Sequence, residues 1–403
     1  MPALGTPRTL LVIPVSLAVL SLAPIGLPRL LPTAGPSHST TPSAARHTPG
    51  SAAPTGSHSP AAAPATGVTR ALRRLLPLLV TRVKVPAAAL LAGDASGARF
   101  ARAGEGIARG DHFRAGSITK TFIATVVLQL AAEHRLSLSD LDTHLPGLVR
   151  GAGNDGRRLT LRSLLTHTSG LYNFTDVTKG AVPLTPLQVV RIALTHPPAA
   201  RGRFSYSNTN YVLLGMVIRQ VTGHSYATEA ERRIINPLRL TGTSFPGART
   251  SLPSPHGRAY SADGTDVTAL DPRVAGAAGD LVTTLADLNR FYAALLAGDL
   301  LPSSQLREML DTRTAHGLYG MGLYPVKLSC GTTVWGHDGH ISGSYVRTAA
   351  TVDGRRVPTF RVNTDGIEDP DLEPELLAAQ FCPRTQENDR VSSKDPSSRH
   401  PFE

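Results

Sequence analysis

The sequence FRAGSITKTF, residues 113–122, opens the most regular helical pattern in the chain. Apolar residues recur from here at a four-residue spacing, at Ile118, Phe122, Val126 and Leu130. This spacing places them on one side of a helix, so the pattern predicts a helix that begins near Ser117 and packs into a core. Lys120 follows Ser117 by three residues and therefore lies on the same face of that helix.

The pair Ser117 and Lys120 has a specific chemical use. A serine hydroxyl is a weak nucleophile until a base removes its proton. A lysine whose pKa is lowered by burial can be that base, and free amides at a helix start favour a developing negative charge. Only five of the 41 basic residues are lysines, so a lysine here is informative. The alternative is a serine that caps the helix, followed by a solvated lysine.

A second polar group, Tyr206-Ser207-Asn208, precedes a predicted helix over 209–221 that ends before Gly223. A tyrosine in a loop can relay protons as a phenol or a phenolate. Asn208 can hold a substrate carbonyl or orient Lys120. The alternative is a packed tyrosine and an asparagine that caps the helix.

A third group, His337-Asp338-Gly339, stands at the end of a predicted strand over 332–337. Gly339 lets a substrate backbone approach an edge strand closely. His337 can assist proton transfer or bind the substrate, and a histidine in a turn is the alternative. A zinc site on His337 and His340 is not predicted, because no third ligand cluster accompanies them.

These groups occur in the order found in the penicillin-recognising serine hydrolases, which is Ser-x-x-Lys, Tyr-x-Asn and then Lys-Thr-Gly or His-x-Gly. The chain resembles that family over roughly residues 70–383. It is most similar to the branch that contains class C β-lactamases, D-alanyl-D-alanine carboxypeptidases and related esterases and D-aminopeptidases. Further similar stretches are LSLSDLDTHLPGL (136–148), LRSLLTHTSGLY (161–172), FSYSNTNYVLLG (204–215) and GHDGHISGSY (336–345).

The resemblance implies a mechanism through an acyl-enzyme on Ser117. Lys120 and Tyr206 would share the general-base work, and water would release the acyl group. The backbone N–H groups of Ser117 and His340 would form the oxyanion hole, whose donors typically contribute a few kcal/mol to transition-state stabilisation. No cofactor is implied.

The resemblance also implies contacts with the substrate. At one position of the third motif, this sequence departs from the family pattern. Asn208 would contact the substrate amide, and His337 would replace the third-motif lysine. Asp338 replaces the family's usual threonine, which helps to hold the substrate's terminal carboxylate, and two neighbouring carboxylates repel each other. Ester or amide hydrolysis on another substrate therefore remains open. The sequence Gly339-His340 replaces a commoner small residue and would narrow the pocket. His167 is expected to be structural, in a turn under the site.

Predicted strands lie at both ends of the folded region and helices lie between them. The additional predicted elements are a helix near 68–82, strands at 87–94 and 98–104, a helix at 285–297 after a Thr284-x-x-Asp287 capping box, and strands at 344–352 and 355–362 around an Asp353-Gly354 turn. This order predicts an α+β fold. An antiparallel sheet formed from both chain ends would be flanked by helices and joined to an inserted, mostly helical lobe.

The two ends of the chain differ in composition from its middle. An apolar stretch at 10–27 predicts an export signal or N-terminal anchor over 1–32, with cleaved and uncleaved forms both open and a buried core helix as the alternative. Residues 33–66 contain no large apolar side chain, which is typical of a disordered linker. A polar tail is predicted over 384–403, and the hydrolase domain over 67–383.

Charge and cysteine content narrow the class of protein. The formal net charge is +11, but no basic run is interleaved with aromatic residues, so nucleic-acid binding is not predicted. Diffuse positive charge instead favours a polyanionic surface such as a cell wall. Cys330 and Cys382 suit one disulfide in an exported protein, and two buried thiols are the alternative.

Together these features predict an exported, monomeric serine hydrolase, secreted or held at the cell surface. It would meet a membrane only through its N-terminal segment, if that segment is uncleaved. The expected substrates are peptidoglycan-type D-amino-acid peptides, β-lactams, or small esters and amides, as for a D-alanyl-D-alanine carboxypeptidase or β-lactamase-like enzyme. The alternative is a catalytically silent protein on the same fold that binds or senses cell-wall peptidoglycan.

Overall fold

A computed structural model of the chain describes residues 66–94, 97–139, 141–367, 369 and 371–382. The predicted export segment over 1–32 and the predicted tail over 384–403 lie outside the described residues. So does the predicted linker, apart from its last residue. Within the described part of the chain, no helix is both long and apolar enough to cross a membrane.

The described elements follow the predicted order, with strands at both ends and helices between them. The strands are β1 (Ala87–Asp94), β2 (Gly97–Gly104), β3 (Phe113–Arg114), β4 (Arg150–Gly151), β5 (Asn154–Asp155), β6 (Val282–Thr283), β7 (Tyr324–Lys327), β8 (Thr333–Ile341), β9 (Ser344–Ala350) and β10 (Val357–Val362). The helices are α1 (Thr66–Thr81), α2 (Thr119–Ala132), α3 (Leu161–Leu165), α4 (Thr175–Thr178), α5 (Pro186–Leu194), α6 (Asn208–Thr222), α7 (Tyr226–Ala230), α8 (Leu285–Ala297), α9 (Ser303–Met309) and α10 (Leu372–Phe381).

The main sheet is built from both ends of the folded region. Its strand order is β2-β1-β10-β9-β8-β7, and each neighbouring pair is antiparallel. The chain between β2 and β7 contributes mainly helices, among them α3 to α7. The predicted α+β class, with a sheet from both ends and an inserted helical lobe, is therefore confirmed.

Helices cover both faces of this sheet. Helices α1 and α10 pack on one face, and α8 packs across β1, β9 and β10 on the other. Alternate residues of β1 therefore enter two different cores: Ala88 and Leu90 join the core under α1 and α10, and Ala89 and Leu91 join the larger core around α2. This explains why β1 is almost entirely apolar.

Helix α2 lies at the centre of the larger core. Phe122 stacks on Phe291 of α8 with ring centroids 3.8 Å apart. Thr121, on the same helix, bonds to the Tyr292 hydroxyl at 2.8 Å. These contacts fix α2 against α8, which itself packs on the sheet, and so they also fix the position of Ser117 immediately before α2.

Two predicted local features differ in the structure. The Thr284 hydroxyl accepts a bond from the Asp287 N–H at 3.2 Å, which is half of the predicted capping box. The Asp287 carboxylate accepts instead from the Gly242 N–H at 2.8 Å, because the chain around residue 242 packs against this helix start. The β9–β10 hairpin is closed by the Thr351 N–H donating to the Arg356 carbonyl at 3.0 Å, so its turn is longer than Asp353-Gly354 alone.

The two cysteines are joined. Cys330, in the loop between β7 and β8, forms a disulfide with Cys382 at the end of α10, with a Cα–Cα distance of 5.8 Å. The predicted disulfide is therefore present, and the alternative of two free thiols does not apply. The bond ties the last described helix, α10, to the loop that precedes β8, the strand that carries the third sequence motif.

Candidate active site

Ser117 lies in a single 3₁₀ turn, Gly116–Ile118, directly before α2. A β-carbon on Gly116, whose φ is +50°, would lie 2.7 Å from the backbone nitrogen of His340. Only glycine tolerates both this backbone conformation and so close an approach. The backbone of β8 therefore passes directly beside Ser117, where the predicted oxyanion donors Ser117 N–H and His340 N–H would have to meet.

Lys120 is fully buried and makes three polar contacts. Its Nζ lies 2.9 Å from the Ser117 Oγ, 2.7 Å from the Asn208 Oδ1 and 2.8 Å from the Ala278 carbonyl oxygen. Burial lowers the pKa of Lys120 to about 7, although the negative charge of Asp338 raises it in part. Near neutral pH a large fraction of this lysine is therefore an uncharged amine.

The contacts of Lys120 suit a base. The carbonyl oxygens of Asn208 and Ala278 can only accept hydrogen bonds, so they take both N–H bonds of an uncharged amine. The remaining lone pair then points to the third partner, the hydroxyl of Ser117. An amine held in this way accepts the Ser117 proton without any change of geometry.

Tyr206 contacts the same oxygen from another side. Its hydroxyl donates to the Ser117 Oγ at 2.9 Å. Burial raises the pKa of Tyr206 well above its ordinary value, which the bond to Ser117 offsets only in part. The tyrosine is therefore a phenol that keeps its proton, whereas Lys120 readily loses one. Its ring packs on His167, with centroids 4.3 Å apart.

His167 supports this arrangement from below. Its ring is fully buried and its backbone has a φ of +55°. Its Nδ1 accepts from the Ser207 N–H at 3.2 Å and lies 3.1 Å from the Asn210 Nδ2. This is the supporting position under the site that the sequence analysis expected.

Asn208 is the first residue of α6 and both ends of its side chain are engaged. Its Oδ1 accepts from Lys120, and its Nδ2 donates to the Thr175 Oγ1 at 2.9 Å. Its backbone N–H donates to the Asn173 Oδ1 at 2.9 Å. Of the two predicted uses of Asn208, this geometry corresponds to orientation of Lys120. A contact with a substrate amide stays a prediction.

His337 lies inside β8 rather than at the end of a strand, because β8 continues to Ile341. Its Nδ1 contacts the backbone carbonyl of Asp338, and its Nε2 lies 2.8 Å from the Tyr319 hydroxyl. A carbonyl only accepts, so Nδ1 carries the proton and Nε2 accepts from Tyr319. Burial also lowers the pKa of His337 to about 4, so the ring is neutral near pH 7.

Both ring nitrogens of His337 therefore bond within the protein. This arrangement does not offer the predicted direct role in proton transfer, because neither nitrogen is left for a substrate. Tyr319, which the sequence analysis did not identify, fixes the tautomer of the ring. Its only sequence signal is an aromatic residue in a glycine-rich loop, and such a residue most often simply packs in a core.

The side chain of Asp338 projects from the face of β8 opposite that of His337. In the β8–β9 register, Asp338 is paired with Arg347. Its Oδ1 accepts from the Tyr324 hydroxyl at 2.9 Å. Burial would raise the pKa of Asp338, but His337, Arg347 and the Tyr324 bond outweigh it, so the pKa is lowered. The structure thus gives this carboxylate partners within the protein, and the expected repulsion of a substrate carboxylate is reduced.

The last two predicted site residues shape the backbone. A β-carbon on Gly339 would lie 1.9 Å from the Ala115 carbonyl oxygen, so this position requires glycine for close packing of β8 on the Ser117 segment. His340 is exposed at the same edge, and its effect on pocket width stays a prediction. Among the described residues, no group of three histidine, cysteine or acidic side chains is placed to hold a metal ion.

Comparison with known proteins agrees with this geometry. Residues 72–357 match the family model for Beta-lactamase, which is more than half of the chain. The chain belongs to the β-lactamase family. Within it, the chain lies in the superfamily of serine β-lactamases and penicillin-binding proteins, in the class C-like branch.

Two curated relatives of this β-lactamase family member are penicillin-binding proteins. Penicillin-binding protein 4 of Amycolatopsis lactamdurans is 30% identical over 327 residues, which cover 72% of the chain and 83% of the relative. The putative penicillin-binding protein PbpX of Bacillus subtilis is 31% identical over 217 residues. The match covers 53% of each protein, so the chain spans about half the length of that relative.

Two solved structures are similar over most of their length. A D-stereospecific amidohydrolase from Streptomyces sp. is 42% identical with a TM-score of 0.73, covering 78% of the chain and 98% of that protein. A D-amino acid amidase from Ochrobactrum anthropi SV3 is 24% identical with a TM-score of 0.69, covering 77% and 98%. The second likeness shows the shared fold alone.

The fall of kcat/KM at low pH should follow the protonation of Lys120. Because the uncharged amine is the base, kcat/KM for an ester substrate is expected to rise with pH, bend near pH 7 and then level off. Asp338 raises the pKa of Lys120, so Asp338→Asn should move the bend to lower pH. Stopped assays between pH 5 and 9 measure both profiles. A profile that is flat across pH 7, or a bend that moves to higher pH in Asp338→Asn, would contradict the assignment.

Proposed function

We propose that this member of the β-lactamase family is an exported serine hydrolase that forms an acyl-enzyme on Ser117 and cleaves amides of D-amino acids. The observation that carries the proposal is the pair of contacts on the Ser117 Oγ, from the amine of Lys120 and from the phenol of Tyr206. The similarity to a D-stereospecific amidohydrolase, at 42% identity, supports the choice of substrate class.

Acylation begins when Lys120 takes the proton of Ser117 and the Ser117 Oγ attacks the substrate carbonyl carbon. The oxyanion would be held by the backbone N–H groups of Ser117 and His340. As the carbon–nitrogen bond breaks, the leaving amine needs a proton. Tyr206 keeps its proton and lies at the same oxygen, so it is the group placed to give it. The proton gained by Lys120 then restores Tyr206.

Deacylation uses the same groups in reverse order. Once the amine has left, water takes its place beside the ester carbonyl, and the uncharged Lys120 removes a proton from it. As the ester bond to Ser117 breaks, Tyr206 donates its proton to the Ser117 Oγ, and the proton held by Lys120 then restores Tyr206. The net reaction consumes one amide and one water, and it releases a carboxylic acid and an amine.

The charges around β8 favour substrates whose leaving group carries no carboxylate. His337 is neutral because burial lowers its pKa to about 4, and Asp338 is anionic because its partners lower its pKa. Neither residue attracts the terminal carboxylate of a D-alanyl-D-alanine peptide in the way that a third-motif lysine would. Amides and small esters therefore fit this site better than the carboxypeptidase substrate.

A substrate panel tests the proposal. We expect D-phenylalanine amide to be cleaved with a kcat/KM at least about 100-fold above that of its L-enantiomer, since misplacement of the carbonyl by about 1 Å costs this much. A D-alanyl-D-alanine peptide and a chromogenic cephalosporin should be poorer substrates than the D-amide. The Ser117→Ala variant is the negative control and measures any hydrolysis that does not depend on Ser117. Faster cleavage of the L-amide, or a D-alanyl-D-alanine peptide as the best substrate, would overturn the proposed specificity.

The second candidate is a catalytically silent protein that binds or senses peptidoglycan. The departure at Asp338 is the sequence feature in its favour, but that carboxylate has partners within the protein. The retained contacts among Ser117, Lys120 and Tyr206 favour the enzyme. Complete absence of Ser117-dependent hydrolysis across the panel and a nitrophenyl ester would instead support the silent protein.

Location and assembly are part of the proposal. We infer export through the segment over 1–32, with residues 33–66 as a linker to the catalytic domain, and function as a monomer that is secreted or held at the cell surface. The disulfide between Cys330 and Cys382 supports an oxidising compartment. The net charge of +11 supports proximity to a polyanionic wall.

A further inference from the structure

A cavity of about 440 Å³ lies between α5, α6 and the turn at 275–277. This volume falls in the range of small-molecule sites in proteins. The cavity is distinct from the Ser117 site, because none of Ser117, Lys120, Tyr206 and Asn208 is among its described lining residues. The proposed reaction does not use it.

The walls of this cavity are apolar. They are formed by Leu184, Val189, Val212, Met216 and Ala277, together with the ring of Tyr226. Burying an apolar group of a ligand against such walls is favourable, at roughly 25 cal/mol per Å².

Most of the polar side chains in the cavity lining already have partners. Thr185 and Gln188 bond to each other in the capping box of α5. The Ser225 hydroxyl accepts from the Thr228 N–H at 3.1 Å, and the Tyr226 hydroxyl donates to Asp280. These groups therefore add little polarity to the cavity, and a ligand must find its polar contact elsewhere.

The charged side chains among the described lining residues are all positive. Arg219 and Arg273 line the cavity, and no aspartate or glutamate is among the described lining residues. Arg273 is paired with Asp271 at 2.5 Å, whereas the exposed Arg219 forms no ion pair with any described residue. A guanidinium group of this kind can bind one carboxylate through two parallel hydrogen bonds.

From these features we propose that the cavity is a second ligand site, which binds a small monocarboxylate with an apolar body and places the carboxylate at Arg219. No acidic residue is among the described lining residues, so the ammonium group of an amino acid would find no carboxylate partner there, and an amino acid should bind more weakly than a monocarboxylate. The site therefore discriminates against the D-amino acid that the proposed reaction releases.

The cavity is also connected to the proposed catalytic base. Its wall at 275–277 continues directly into Ala278, whose carbonyl accepts from Lys120 at 2.8 Å. Gly215 allows this turn to lie against α6, since a β-carbon there would come within 2.7 Å of the Ala277 Cβ. A ligand that presses on the turn acts on the carbonyl that orients Lys120, so occupancy should alter kcat rather than compete with substrate.

Calorimetry on the full chain carrying Ser117→Ala tests binding independently of turnover. The probes are 3-phenylpropanoate, D-phenylalanine and 3-phenylpropan-1-ol, which share one apolar body and differ in charge. We expect a Kd of about 0.1 mM for 3-phenylpropanoate, a typical value for a ligand of this size. D-phenylalanine is a product of the proposed reaction and can occupy the Ser117 site, so any binding that it shows should be unaffected by substitutions in the cavity. The alcohol should bind at least about 10-fold more weakly than the carboxylate.

Variants locate the site. Arg219→Gln should weaken 3-phenylpropanoate at least about 10-fold and leave the alcohol unchanged. Met216→Trp should fill the cavity and abolish binding of both, whereas Arg307→Gln on the exposed face of α9 is the matched control. Unchanged affinity for 3-phenylpropanoate in Arg219→Gln and in Met216→Trp, or binding of D-phenylalanine that Met216→Trp abolishes, would overturn the proposal. Because turnover is absent in Ser117→Ala protein and the readout is the change in affinity caused by cavity variants, these outcomes do not depend on the proposed hydrolase activity.

Discussion

Replacing Lys120 by methionine is expected to lower kcat/KM by about 10³- to 10⁴-fold for amide and ester substrates alike. Both substrates need the Ser117 proton to be removed, and no other described group that contacts the Ser117 Oγ has a pKa near neutrality. Methionine keeps the length and apolar character of the buried side chain, so the fold should persist. Initial rates with purified protein, together with a thermal melt, measure the effect.

The control for this variant is Lys327→Met, which removes an exposed lysine of β7. It should leave kcat/KM and the melting temperature unchanged. A Lys120→Met protein that melts normally and retains more than about one tenth of the parent activity would remove Lys120 from the mechanism.

Replacing Tyr206 by phenylalanine is expected to have a large effect that depends on the leaving group. The change removes the hydroxyl that donates to the Ser117 Oγ at 2.9 Å but keeps the ring that packs on His167. Amide cleavage should fall by about 10²- to 10³-fold, because the leaving amine loses its proton donor. A nitrophenyl ester, whose leaving group needs no proton, should lose less than about 10-fold.

The comparison of the two substrates separates Tyr206 from Lys120. Lys120→Met should reduce amide and ester turnover together, whereas Tyr206→Phe should reduce mainly the amide. Tyr260→Phe, in a loop outside the Ser117 site, is the matched control and should change neither rate. Equal losses for amide and ester in Tyr206→Phe would assign this tyrosine to Ser117 activation rather than to protonation of the leaving group.

The sequence was sufficient for those parts of the fold that depend on local pattern. The four-residue apolar spacing after Ser117 predicted α2, and the strands at both ends of the folded region predicted an antiparallel sheet built from both, although not its strand order or its edge strand β7. Spacing also placed Ser117 and Lys120 on one face, and their side chains meet at 2.9 Å. Both features follow from helix and strand geometry, which acts over a few residues.

The features that could not be predicted depend on contacts between distant parts of the chain. Nothing near Asp287 in sequence indicates that its carboxylate binds the N–H of Gly242. The proton on His337 is fixed by Tyr319, and Asp338 is held by Tyr324 from the preceding strand. These partners decide that His337 and Asp338 are bound within the protein, and they appear only once the sheet has formed.

Ser117 is the nucleophile of the proposed mechanism, and mass spectrometry tests this assignment directly. After incubation with a fluorophosphonate at pH 8, the protein should carry one adduct, on the peptide that contains Ser117, and lose its amide hydrolysis in parallel. Lys120→Met should label at least about 100-fold more slowly, and Ser117→Ala should not label. An adduct on another residue with Ser117 unmodified, or equal labelling of Ser117→Ala, would contradict the account.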